Sequence, residues 1–229
     1  MWVNFFNMLT VIIGSFIGLL IKKGIPERIS SAVMTGIGLC TLYIGFSGAL
    51  SGENVLIIIA SMILGAICGT FFDIDTKLGK LGGYFEEKLK TKGEKGMIAK
   101  GFVSASLLFC VGSMTITGAL CAGINGDTKL IFTKSILDLM SSMMLASSLG
   151  IGVLLSSVFV LVFQGSITLL AQFISPFLNS GAINEMTCVG SLITLMLGFN
   201  LMGISKFKVA DYLPAIIFAP IIYNLIQLF

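Results

Sequence analysis

The sequence predicts an all-α, polytopic bundle of transmembrane helices with about eight (7–8) spans, and three observations carry that prediction. Hydrophobic residues make up 56% of the 229 positions and charged residues only 11%, against about 25% charged in an ordinary soluble domain. The charges sit in short islands between apolar runs of roughly 18–23 residues, and a hydrocarbon core of about 30 Å takes about 20 helical residues to cross. The basic residues also fall almost entirely on one side of the resulting topology, as the positive-inside rule requires.

Taken in order, the spans run roughly over 4–21, 30–50, 54–72, 101–124, 132–149, 152–175, 184–202 and 211–228. The first has no Lys or Arg before it and Lys22-Lys23 after it, the reverse of a secretory signal. It reads as a retained helix with its N-terminus outside. The stretch Lys134–Phe177 is too long for one span and long enough for two, with Gly150-Ile-Gly152 as the turn. A seven-span reading requires one of these two to be re-entrant. With both termini outside, Lys22, Lys23, Arg28, the seven lysines of 73–100, Lys206 and Lys208 all face inward. That is 12 of the 14 basic residues, leaving Lys129 and Lys134 outside.

The whole chain, 1–229, reads as a single integral membrane domain. Its one extended polar segment, 73–100, reads as a cytoplasmic amphipathic linker between spans 3 and 4. Leu78, Leu81, Phe85 and Leu89 recur there at helical spacing beside Lys80, Glu86, Glu87, Lys88 and Lys90, which suits a short helix on anionic lipid or a solvated connector. A shift of 74 residues aligns Gly38 with Gly112, Thr41 with Thr115, Gly52 with Gly126 and Ser61 with Ser135. This candidate internal repeat pairs spans 2–3 with spans 4–5, and duplicated segments often flank the site of a transport protein.

Composition excludes several functions. Net charge is only +3, too little and too localised for nucleic acid. Histidine is absent, so no Ser-His triad, HExxH helix or His-ligated metal is available. Only Asp138 lies well within a span, so paired carboxylates for aspartyl chemistry are also missing. The expectation is no enzyme and no cofactor. The five cysteines lie in apolar runs and read as packing residues.

An ionisable residue inside the membrane is a functional candidate by default. Asp138 is the best one, as a ligand for a hard cation beside Ser135, Ser141 and Ser142. The competing reading is neutralisation by Lys134, one helical turn earlier. The run Gly112-Ser113-Met114-Thr115-Ile116-Thr117-Gly118 has three hydroxyls between glycines at mid-span. It can line an ion path as unwound backbone, with Gly38 and Thr41 as its counterpart in the repeat, or it can pack as ordinary helix. Gln164 sits mid-span and either bridges helices or lines the path, as do Asn4, Asn7, Asn200 and Asn224. Asp73 and Asp75 either sense a cation at the inner end or cap the linker helix. Gly14-x-x-x-Gly18 and Gly65-x-x-x-Gly69 permit close contact, between subunits or within one. Glu185 reads as favouring the N-terminus of its own helix.

The run from Ala105 to Gly118 resembles the YdfK/YqgA-type bacterial membrane proteins, long described as a domain of unknown function. Lys134-Ser-x-x-Asp138, Gly150-Ile-Gly152, Gln164-Gly165, Glu185-Met186 and Leu213-Pro214-Ala215 continue the match in order. The family has Pro where this chain has Ser113 and Gly where it has Leu139. The resemblance implies a sodium-selective, sodium-activated channel, a homodimer in the bacterial plasma (inner) membrane, with the lipid bilayer and sodium ions as its partners. It points to Gly112–Thr117 and Asp138 as path or binding residues. A secondary transporter of a small solute or ion, and a membrane scaffold or lipid-interacting protein, are the alternatives.

Overall fold

The computed structural model describes residues 1–22, 26–89 and 96–227, and among them the secondary structure is helical throughout. Ten α-helices follow one another: α1 (Trp2–Lys22), α2 (Glu27–Ala49), α3 (Val55–Phe71), α4 (Ile74–Leu89), α5 (Met97–Val111), α6 (Ser113–Ile124), α7 (Lys129–Leu149), α8 (Gly152–Ile174), α9 (Ser180–Leu201) and α10 (Ala215–Ile226). Short 3-10 turns cover Ser175–Phe177 and Val209–Tyr212. Lys23, Lys90, Lys92 and Lys95 lie outside the described residues, as do the side chains of Phe85, Glu86, Lys88, Leu89 and Ser113.

Among the described residues, six helical segments are long and apolar enough to cross a membrane alone, and two bent pairs, α3 with the start of α4 and α5 with α6, bring the number up to eight if each pair counts as one span. Packing decides how the α5–α6 pair runs. Gly152, at the start of α8, lies against the Ile98 carbonyl and the Phe102 amide near the start of α5. Gly123, at the end of α6, lies against Thr168 and Ala171 near the end of α8. The pair therefore accompanies α8 along its full length and crosses the bundle, as the eight-span reading expects. Gly150, at φ 79° and ψ −153°, supplies the turn between α7 and α8 in a conformation open to glycine.

The core is built from non-neighbouring helices. α1 packs chiefly on α7, α2 on α9, α5 and α6 on α8, and α10 on α3 and α9. Gly14 and Gly18 lie directly on the Leu139 and Met143 carbonyls of α7, while Gly65 and Gly69 lie on Ala215 and the Asp211 carbonyl. Both small-residue faces are thus consumed within one chain. Val11, Phe109, Leu145, Val189, Ile193 and Leu197 fill the interior. Phe71, Tyr43 and Phe173 are 82%, 75% and 76% exposed, an outward apolar display that water would not tolerate and lipid does.

α4 forms where the linker helix is expected, with a different inward face. Leu78 packs on the core and Gly82 is buried against Ala99 of α5, whereas Leu81 points outward. The close approach at Gly82 sets that rotation. Gly38 and Gly112 are not structural equivalents either: α2 continues unbroken through Gly38, which is pressed against Gly198 of α9 and Met202 just beyond it, while the chain breaks at Gly112.

Candidate functional site at the broken fourth span

α5 ends at Val111 and α6 begins at Ser113, with an angle of 56° between them. Gly112 between them is extended, at φ −63° and ψ 145°, a conformation any residue can take. A Cβ added there would meet nothing within 4 Å, so the corner stands beside open space. Non-helical backbone inside a membrane persists only where it is buried in protein or lines a cavity. Thr115 repairs part of the break: its amide donates to the Gly112 carbonyl at 2.9 Å, and its hydroxyl donates to the Phe109 carbonyl at 2.7 Å. Met114 and Thr117 are half-buried on α6.

α7 brings the charges to this corner. Gly118 of α6 packs on Ile131, one turn before Ser135. Lys134 and Asp138 are both buried, and the ammonium is ion-paired with and donates to the Asp138 carboxylate. The same ammonium lies 5.8 Å from the centre of the Phe109 ring, in cation–π range. The last turn of α5, whose free carbonyls carry the negative end of its dipole, therefore adjoins a tethered cation.

α1 and α8 supply amides. Asn7 donates to the Gln164 side-chain oxygen at 3.0 Å. Asn4 donates to the Thr168 hydroxyl at 3.0 Å, and that hydroxyl donates to the Gln164 carbonyl at 3.0 Å. Asn4, Asn7 and Gln164 are fully buried. Among the described residues, Asn4 Oδ1, Asn7 Oδ1 and Gln164 Nε2 have no hydrogen-bond partner. Buried polar atoms are nearly always paired, so two acceptor oxygens left open near an intramembrane carboxylate mark a place for a further donor or a cation.

The structure thus brings Asp138, Gln164, Thr115 and the Gly112 corner together. It does not bring Gly38 and Thr41 to them, because α2 is held on α9 and α7; the Thr41 hydroxyl donates back to the Ile37 carbonyl at 2.8 Å. Ser142 lies under Gly14 and donates to the Leu139 carbonyl.

Asp73 and Asp75 belong to a second region, the polar corner between α3 and α4, just beyond the apolar run of α3. Asp73, at φ 50°, accepts from the Thr76 hydroxyl at 2.7 Å and pairs with Lys208 at 3.7 Å. The Thr76 bond, with Lys208 beside it, holds the Asp73 carboxyl below its ordinary pKa. Asp75 accepts from the Ala210 amide at 3.2 Å, while its own amide donates to Asp211 at 2.8 Å. Burial raises the Asp75 carboxyl above its ordinary value, and the neighbouring Asp211 adds to the rise.

Sequence reasoning missed Asp211, which is 2% exposed but was placed at the edge of span 8. It also misjudged Glu185, which holds the chain leading into a different helix from its own. Glu185 is fully buried, and its Oε1 accepts from the Glu53 and Asn54 amides at 2.9 and 2.8 Å, ahead of α3. The span was read from 184, which left Glu185 at its edge; α9 begins at Ser180 and sets the carboxylate more than one turn inside it.

Comparison with known proteins follows the same whole-chain pattern. The chain is 31% identical over 233 aligned positions to the uncharacterized membrane protein YdfK of Bacillus subtilis (strain 168), covering 100% of this chain and 98% of that one. It is 30% identical over 219 positions to the uncharacterized protein YqgA of Escherichia coli (strain K12), covering 94% and 93% respectively. No solved structure matches it significantly. The family described as protein of unknown function (DUF554) matches residues 3–224, and this membrane protein belongs to it.

Proposed function

We propose that this protein conducts cations across the bacterial plasma membrane, as a sodium-selective channel whose path passes the α5–α6 corner. The observation that supports it best is the placement of a broken span, with open space at Gly112, against an intramembrane carboxylate whose amide neighbours keep two acceptor oxygens unpartnered. Asp138, Asn7 Oδ1 and the carbonyls ending α5 are the hard oxygen donors a sodium ion takes. Lys134 then acts as a resident cation. It occupies the carboxylate while the path is closed, and sodium must displace it to pass. Nothing in this reading calls for a catalytic residue or a cofactor beyond the ion itself.

The lysine-rich end, with Lys100, Lys206 and Lys208, is proposed as cytoplasmic and both termini as extracytoplasmic. A homodimer would need a face other than the two glycine stripes, since both are consumed inside the chain. The apolar groove of about 660 Å³ between Ile116, Phe163, Ile217 and Ile221 offers one.

Planar-bilayer recording of the purified protein, with sodium, potassium and chloride varied on each side, tests the proposal. Unitary currents reversing near the sodium equilibrium potential are expected. Silence from a preparation shown to be folded would sink the channel and favour a coupled transporter. The neutralised Lys134–Asp138 pair favours that second reading, because a site that must empty its own counter-ion before loading suits stepwise exchange.

A further inference from the structure

At the lysine-rich end, away from the broken corner, a cavity of about 490 Å³ opens between α4, α5, α9 and the loop 202–208. Lys100, Lys206 and Lys208 line it, with Asp75 as its one acidic lining residue. The loop is fixed rather than loose: the Asn200 amide donates to the Phe207 carbonyl at 2.8 Å, and its oxygen accepts from the Phe207 amide and the Ser205 hydroxyl, each at 2.8 Å. This clamp fixes the backbone that carries two of the three lysines before any ligand arrives.

The nearby carboxylates are committed elsewhere. Asp75 accepts from Ala210, Asp211 accepts from Asp75, and Asp73 accepts from Thr76 and, among the cavity lysines, pairs with Lys208 alone. Among the described residues Lys100 and Lys206 form no ion pair. Deeper in, the lining turns apolar at Val103, Leu107 and Leu197. Phe207, 48% exposed, stands at the rim.

A basic mouth, an apolar floor and a position at the membrane surface match one ligand chemistry. We propose that this cavity binds the phosphate of an anionic phospholipid headgroup, the lysines taking the phosphate and the floor taking the glycerol end. Basic pockets between helices on this side of a membrane favour such headgroups. Bound there, a lipid would tie α4 and the 202–208 loop to α5, the half of the broken span that leads to Gly112.

The test is thermal unfolding of the full-length protein in phosphatidylcholine nanodiscs with graded phosphatidylglycerol, alongside inorganic phosphate added to phosphatidylcholine alone. Phosphatidylglycerol is expected to raise the midpoint saturably. Lys206→Gln with Lys208→Gln should weaken the apparent affinity about 25-fold, about fivefold per lysine. Arg at both positions should restore it. Asp73→Asn, which breaks the Lys208 ion pair without removing a cation, and Lys77→Gln, which removes an exposed lysine outside the cavity, should not weaken it. An unsaturable lipid effect, or equal loss from Lys77→Gln, would reduce the site to diffuse surface charge and overturn the proposal. A saturable shift by inorganic phosphate that needs the same two lysines would keep the phosphate site and assign it to a soluble ligand. If the double Gln variant does not fold, a phosphatidylglycerol analogue with a photoreactive headgroup decides on the unaltered protein. Labelling within 99–104 or 203–209 supports the site, and labelling elsewhere refutes it.

Discussion

Two corners of this chain bend by nearly the same angle, 51° between α3 and α4 and 56° between α5 and α6, and they are held in opposite ways. The first is braced by side chains from three segments: Thr76 on Asp73, Asp75 on Ala210, Asp211 on Asp75 and Lys208 on Asp73. Gly69, just before it, is pressed onto the Asp211 carbonyl. The second has Thr115 and little else, and its glycine faces open space. A bend at the membrane surface has charged partners and water at hand, so it can be locked. A bend at membrane depth has few partners, and leaving it unlocked is the more informative choice. The difference teaches that the α3–α4 corner is cross-braced by its neighbours, whereas the α5–α6 corner has room beside it.

The largest expected effect comes from the charges beside the open corner. Asp138→Asn strands a buried ammonium, and removing one partner of a buried pair costs about 3–5 kcal/mol. Thermal unfolding in detergent should show that loss, and Lys134→Met combined with Asp138→Leu should recover most of it. Full stability in the single variant would mean that water already reaches Lys134. On its own, Lys134→Gln should make stability depend on sodium, because a mobile cation can then serve Asp138; identical melting in sodium and N-methylglucamine would refute the resident-cation reading.

Next in size is the locked corner. Gly69→Ala drives a methyl into the Asp211 backbone, and overpacking of this kind costs about 1–3 kcal/mol, readable in the same unfolding assay. A smaller effect concerns pH. The raised Asp75 carboxyl means the folded state holds its proton more tightly than the unfolded state does. Its contribution to stability is therefore full below the unfolded value and is lost as pH rises through the folded value. Asp75→Asn keeps the acceptor for Ala210 and should flatten that part of the stability–pH curve; an unchanged slope would assign it to another group. The smallest stability effect, within about 0.5 kcal/mol, is expected of Gly112→Ala, since its methyl meets nothing. A changed conductance in that variant would then report the path itself.

Much of the architecture was legible in the sequence because spans are local: an apolar run of sufficient length, a flanking lysine and a Gly150 turn are each read within about 25 residues. The break at Gly112 was legible as a glycine and hydroxyl run, though not as a bend. The partners were not legible. Nothing along the chain says that Asn7 meets Gln164 or that Glu185 holds the segment ahead of α3, because such pairs depend on which helices become neighbours in three dimensions. The 74-residue similarity does not extend to local structure at one pair for the same reason: glycine serves helix contact at Gly38 and a corner at Gly112, and sequence spells both alike.

The pairing of α1 with α7 and α8 has a consequence for biogenesis. Asn4 and Asn7 find Thr168 and Gln164 only after more than 150 further residues have been made. Until then the first helix sits in the bilayer with two amides unserved, each costly in hydrocarbon. The early helices must therefore wait beside the insertion machinery or hold temporary partners while the second half is synthesised. A ribosome stalled before α8 would display a first helix whose polar face is still open to capture by other membrane chains.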